Sequence, residues 1–176
     1  MRILFLGDIV GPSGCNVVKR FLPDIIKKRD LDFVVANGEN AADNGLGITE
    51  KISKELFSCG IDVLTTGNHV WDQKETAEHI EKEKKLLRPY NLTSPSPGKG
   101  FEIFSSKNNF KIGVLNLMGN VFMKKCDDVF IKIEKFLNDY DLKKNYDFLV
   151  VDFHGEITSE NCLLYTSPSP RDGLLS

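Results

Sequence analysis

Four short clusters of polar residues in this sequence could hold a metal ion or move a proton: Asp8, Glu39-Asn40, Asn68-His69 and His154. Each follows or ends an apolar run that reads as a buried strand, namely 2–7, 33–36, 61–66 and 147–153. In α/β sheets, sites gather at the carboxyl ends of strands, where the loops leave beside exposed helix N-termini. A carboxylate, a carboxylate with an amide, an amide with an imidazole, and a second imidazole are therefore expected to converge on one rim. Oxygen donors with a minority of imidazoles suit borderline-hard divalent ions such as Mn²⁺ or Fe²⁺ better than a thiolate-seeking metal. With only 3 histidines in the chain, any such site must lean on Asp, Glu and Asn.

Taken singly, each cluster also has an ordinary structural reading. Asp8 could cap the turn or helix that follows it, and Glu39-Asn40 could be a solvated loop pair. Asn68-His69 could be a turn in which Asn tolerates a left-handed backbone, and His154 a hydrogen-bonded core histidine. Their recurrence at equivalent strand ends favours a shared site. His79, on a polar helix, reads as a surface residue.

The elements that must position these residues alternate in type. Val17, Val18, Phe21, Leu22, Ile25 and Ile26 recur at helical spacing after Pro12 and end in Lys27-Lys28-Arg29, the charge sign favoured at a helix C-terminus. Thr49 is a plausible N-cap for a helix closing at Gly60, and 72–85 reads as a polar helix carrying Ala77 and Ile80. A proline-rich loop over 88–100 precedes two antiparallel candidates, 101–105 and 111–117. Residues 127–140 read as an amphipathic helix, and 147–153, apolar over Phe148 to Val151, as a strand buried on both faces. No repeat or linker divides 1–161, which read as one incomplete α/β domain.

The 25 acidic and 23 basic residues leave a net charge of −2 without a long block of one sign, so nothing points to duplex nucleic acid or an anionic membrane. No apolar run approaches the ~18 residues that span a bilayer, and a cytoplasmic location is expected. Cys15, Cys59, Cys126 and Cys162 lack CxxC spacing, which argues against a disulfide framework or a zinc knuckle. The sequence leaves a homo-oligomer open.

An ordered series of motifs carries a family resemblance: Gly7-Asp8-Ile9-Val10-Gly11, Ala36-Asn37-Gly38-Glu39-Asn40-Ala41-Ala42, Gly45 to Ile48, Thr66-Gly67-Asn68-His69-Val70-Trp71-Asp72, Arg88-Pro89, Asn116-Leu117-Met118-Gly119 and Asp152-Phe153-His154. The set resembles the YmdB-like branch of the calcineurin-type metallophosphoesterases, bacterial 2′,3′-cyclic-nucleotide 2′-phosphodiesterases. The resemblance implies a layered fold of central β-sheets flanked by helices, and two divalent metal ions, commonly iron or manganese. It implies Asp8 and Asn40 as ligands on one side, Glu39 as the bridge, and Asn68 and His154 on the other, with His69 as the catalytic histidine beside the metals. It further implies a small phosphodiester or cyclic-nucleotide substrate and a nucleoside 3′-phosphate product.

Departures accompany the match. The family carries a later Gly-Thr-His-Thr-His segment with two more histidine ligands, which these 176 residues do not contain. Asn120 stands where an arginine is expected, and Gly155 where alanine is usual. The stretch from Cys162 to Asp172 resembles the translation of a transposase adapter used in sequencing libraries. The natural sequence is thus expected to stop near Asn161, with 162–176 an artificial tail and the fragment inactive. A catalytically silent metal- or nucleotide-responsive regulator would share every motif. A dinucleotide-binding domain would not, because Gly7, Gly11 and Gly14 lack GxGxxG spacing.

Overall fold

The computed structural model describes residues 1–166. Three βα units come first: β1 (Ile3–Leu6), α1 (Gly11–Arg29), β2 (Phe33–Asn37), α2 (Glu50–Ser58), β3 (Val63–Thr65) and α3 (Thr76–Lys82). Then follow β4 (Phe101–Ser105), β5 (Lys111–Met118), α4 (Val129–Asp139), β6 (Phe148–His154) and α5 (Thr158–Thr166). Strands β1, β2 and β3 form one parallel sheet. Strand β5 pairs antiparallel with β4 and parallel with β6 in a second.

Side-chain alternation stacks these sheets into a sandwich. Along β2, Phe33 and Val35 join Ile3, Val63, Ile112, Val114 and Val150 between the sheets. Val34 and Ala36, on the opposite face, pack with Leu4, Leu22, Leu56 and Ile80 under the first three helices. The outer face of the second sheet buries Leu115 and Leu117 against Val129 and Phe136 of α4. The order is helix, sheet, sheet, helix, the layered α/β fold that the family resemblance implies.

Local signals hold where they are strong. Helix α1 carries Pro12 in its first turn and three basic residues in its last. Thr49 caps α2, its side chain accepting a hydrogen bond from the Ile52 amide at 3.2 Å.

Three expectations are corrected. The polar helix of 72–85 shrinks to Thr76–Lys82, because tertiary partners take its ends. Asp72 turns back to His69 and Lys124, and Lys85 accepts from the Leu64 amide at 2.8 Å, extending the chain beside β3. His79 is buried, not on the surface, and its Nε2 lies 2.8 Å from Ser53 Oγ on α2. Strand β6 is not covered on both faces: Phe148 and Val151 are 37% and 41% exposed, because β5 is the one strand paired with it among the described residues. The outer face of β6 borders an apolar groove of about 770 Å³, lined by Leu149, Val151, Phe153, Leu137 and Phe5.

Of the expected artificial tail, 162–166 complete α5 and 167–176 lie outside the described residues. Among the described residues no helix is long and apolar enough to cross a membrane.

Polar residues join the two sheets at one end of the sandwich. Asn116 of β5 accepts the Thr66 amide at 3.1 Å and donates to the Thr66 carbonyl at 3.0 Å. Beside it, Asn37 Nδ2 donates to Asp152 Oδ2 at 2.8 Å. Asn116→Ala would leave the buried Thr66 amide without this partner, while the Thr66 carbonyl keeps Asn37 Nδ2 at 3.4 Å. The expected loss is about 1–3 kcal/mol in urea unfolding, and a loss under about 0.5 kcal/mol would mean that the clamp does not hold the sheets.

Candidate metal centre

The clamped end of the sandwich is where the polar clusters meet. Asp8 follows β1, and the neighbouring Ile9 amide donates to the Asn37 carbonyl at 2.9 Å, which ties this loop to the end of β2. After β2 the chain turns tightly, with Gly38 N–H on the Thr65 carbonyl at 2.9 Å and Glu39 N–H on Asn37 Oδ1 at 3.0 Å. Asn68 and His69 lie in the turn that leaves β3. His154 ends β6, opposite Met118, and its carbonyl accepts the Gly119 amide at 2.9 Å.

These side chains form one connected cluster. Asn40 Nδ2 donates to Asp8 Oδ2 at 2.7 Å and Glu39 Oε1 at 3.3 Å. Glu39 Oε1 also lies 2.9 Å from His154 Nε2, which is 2.9 Å from Asn68 Oδ1. Glu39 is 2% exposed and sits at the centre. A buried carboxylate demands charge or hydrogen bonds around it, and here the Asn40 amide and the His154 imidazole supply them. The sequence-predicted residues Asp8, Glu39, Asn40, Asn68 and His154 are thus brought together.

His69 stands at the edge of this cluster. Its amide faces Glu39 Oε2 at 3.5 Å, while its Nδ1 lies 2.5 Å from Asp72 Oδ2. The second Asp72 oxygen receives Lys124 Nζ at 2.6 Å. Burial would raise the Asp72 carboxyl, but hydrogen bonds from Lys124 and His69, with their charges, outweigh it and hold it below the ordinary aspartate value.

The electrostatics around His154 are set by its neighbours. Burial alone would lower the imidazole, yet the hydrogen bond to Glu39 and the charges of Glu39, Asp152 and Asp8 prevail and raise it. Burial raises the Asp152 carboxyl in turn, against hydrogen bonds from Thr65 and Asn37.

The residues fit a divalent cation. Among the described residues, Asn40 Oδ1 is a buried side-chain oxygen without a hydrogen-bond partner, an arrangement that native structures rarely tolerate without a further ligand. The amide of the same residue stands between two carboxylates, where positive charge is called for. Among the described residues no three His, Cys, Asp or Glu side chains form a metal cage by themselves. A donor set here would therefore draw on the amide oxygens of Asn40 and Asn68, whose hardness matches the carboxylates.

Sequence reasoning missed the residues behind these. Asn37, Asn116 and Asp152 occupy the inward alternation of their strands, so a polar residue in an inward register was the available signal. Lys124 carried none. Asn120, where an arginine was expected, faces α4: Oδ1 accepts the Val129 amide at 3.0 Å, and Nδ2 donates to the Asp127 carbonyl at 3.1 Å.

A family model described as YmdB-like protein matches residues 4–168. The chain belongs to the YmdB-like family. It is 40% identical over 164 residues to the 2′,3′-cyclic-nucleotide 2′-phosphodiesterase of Bacillus subtilis, covering 93% of this chain and 61% of that protein. The fold is similar to the crystal structure of a hypothetical protein from Thermus thermophilus, with a TM-score of 0.84, 35% identity, and coverage of 93% of this chain and 62% of that one. A phosphatase from Mycoplasma pneumoniae superposes with a TM-score of 0.81 at 32% identity, covering 93% of this chain and 58% of the other. This YmdB-like chain spans about three fifths of the length of these relatives.

Gly67 leaves the space in which the cluster assembles. A Cβ there would stand 2.0 Å from Glu39 Oε2 and 2.6 Å from His154 Cδ2. Gly67→Ala is expected to weaken Mn²⁺ binding by about 10–100-fold in calorimetric titration while the far-UV circular dichroism is retained. Unchanged affinity would place the binding site elsewhere.

Proposed function

We propose that this chain supplies the N-terminal part of a two-metal phosphodiesterase site, acting in the cytoplasm on small cyclic nucleotides and not on duplex nucleic acid. Cleavage of the P–O2′ bond of a 2′,3′-cyclic nucleotide by water would release a nucleoside 3′-phosphate. The observation that carries this reading is the continuous cluster from Asp8 through Asn40, Glu39 and His154 to Asn68, with the unpartnered Asn40 Oδ1 inside it. The name of the Bacillus relative, at 40% identity, supports the substrate class.

In this reading Asp8 and Asn40 would hold one iron or manganese ion and Asn68 and His154 a second, with Glu39 available to both. Two such ions, when bound, supply positive charge to the phosphodiester oxygens and lower the pKa of a bound water. Glu39 is suited to the shared place because its carboxylate already lies between the Asn40 amide and the His154 imidazole. His69, carrying a proton on each ring nitrogen, hands the Nε2 proton to the departing O2′, while Asp72 keeps the Nδ1 proton and holds the ring. Residues 1–161 are the N-terminal part of a single natural domain in this reading, and resequencing native DNA past the Asn161 codon tests the adapter origin of the rest.

The roles separate by measurement. The 176-residue chain alone should hydrolyse bis(p-nitrophenyl) phosphate with Mn²⁺ poorly, and fusing the remaining C-terminal segment of the Bacillus relative should restore turnover of that ester and of 2′,3′-cyclic AMP. In the fused protein, His69→Ala should keep metal content and lower turnover by about 10²–10⁴-fold. Glu39→Gln should reduce metal content in plasma emission analysis, because it removes a charge that both cations share. Metal lost in His69→Ala but kept in Glu39→Gln would reverse the assignment.

A further inference from the structure

We propose that Asp72 and Lys124 act as a positioning pair for His69, making the loop between β5 and α4 part of the machinery that presents the imidazole to the leaving oxygen. The proposal rests on the reading of His69 given above and adds residues from two further segments to it.

Both oxygens of the Asp72 carboxylate are engaged, and by different partners. Oδ2 meets His69 Nδ1 at 2.5 Å, and Oδ1 meets Lys124 Nζ at 2.6 Å. A carboxylate held at one oxygen can swing about χ2. Held at both, it has a fixed plane, and it fixes the imidazole plane through a charge-assisted hydrogen bond. Asp72 also decides which proton moves, since an acceptor at Nδ1 keeps a proton there in the charged and the neutral ring alike, and the one given to the leaving oxygen is that on Nε2.

Lys124 reaches Asp72 across 52 residues of sequence from a loop anchored on both sides. At its start, buried Glu160 of α5 accepts the Asn120 amide at 2.8 Å and the Val121 amide at 3.3 Å, and the Gly119 amide is bound to His154. At its end, Asn91 Nδ2 donates to the Asp127 carbonyl at 3.0 Å, and Asn120 Nδ2 to the same oxygen at 3.1 Å. An ammonium on an untethered loop would be a weak guide. Here the same contacts that seat the loop against His154 deliver the ammonium to Asp72.

The pair contributes orientation rather than stability. Lys124 and Asp72 side chains are 52% and 26% exposed, a setting in which ion pairs add little to folding free energy. Substitution at either position should accordingly leave the melting temperature near wild type. A purely structural role would show the opposite pattern.

The test has two arms. In the 176-residue chain at alkaline pH, where the rings are neutral, ¹⁵N correlation spectra should show His69 as the Nδ1–H tautomer, the form left once Nε2 has given up its proton. Asp72→Asn and Asp72→Ala should move it toward Nε2–H, Lys124→Ala should move it part-way, and Lys124→Arg should restore the wild-type signal. In the fused protein, Asp72→Asn should lower kcat for 2′,3′-cyclic AMP by about 10–100-fold with KM little changed. Bis(p-nitrophenyl) phosphate should suffer less, because nitrophenolate departs without a proton. A His69 tautomer identical in all variants, or equal losses on the two substrates, would overturn the proposal. If wild-type fused protein turns over neither substrate, the phosphodiesterase reading fails, while the spectra still decide whether Asp72 and Lys124 position the ring.

Discussion

Burying amide and carboxylate groups between two hydrophobic sheets is tolerable only when every one of them is paired, and that constraint organises this molecule. Between β2 and β5 the interior is aliphatic and aromatic down to Val35 and Val114, and there it turns polar. Asn37, Asn116 and Asp152 would each be costly alone. Together with the backbone of Thr66 they satisfy one another across the layer. This pairing holds the carboxyl ends of β2, β3, β5 and β6 at a common level, and Glu39, Asn68 and His154 extend from that level. The centre is thus a continuation of the polar seam.

The fold was legible wherever a signal was local. Alternation between β-rich runs and helical periodicity gave the order of elements, and Thr49 marked a helix start through the oxygen that caps Ile52. Residues whose state depends on distant partners were not legible. The segment 72–75 has the polarity of a helix start, yet Asp72 is drawn to Lys124 and Glu75 accepts the Glu50 amide, so the helix begins at Thr76. His79 looks like a surface residue on a polar helix until Ser53, 26 positions earlier, is placed against it. Strand β6 has the composition of a covered strand, but composition does not say which neighbours are there to cover it.

The candidate site shows the same division. Its inner members came from residue type at strand ends, a rule about topology more than about any one residue. Its outer members, Asp72, Lys124 and Glu160, came only with coordinates. Glu160 shows why: a carboxylate in a helix after β6 reads as solvent-facing, yet it is buried and accepts backbone amides of the loop after β5.

The separation of the joined residues along the chain bears on how the protein reaches this state. The bond from Asn37 to Asp152 closes 115 residues, and that from Asn68 to His154 closes 86, whereas β1 and β2 pair across 30. Loop closure grows slowly with length, so the longest closure costs only about 1 kcal/mol more than the shortest. The penalty falls on time: contacts of such high order form late in the search, after the local βα units. Asp8, Glu39, Asn40 and Asn68 are synthesised 86 or more residues before His154, so their polar groups cannot pair with it until β6 has been made. Until then the site is divided, its histidine not yet joined to the rest.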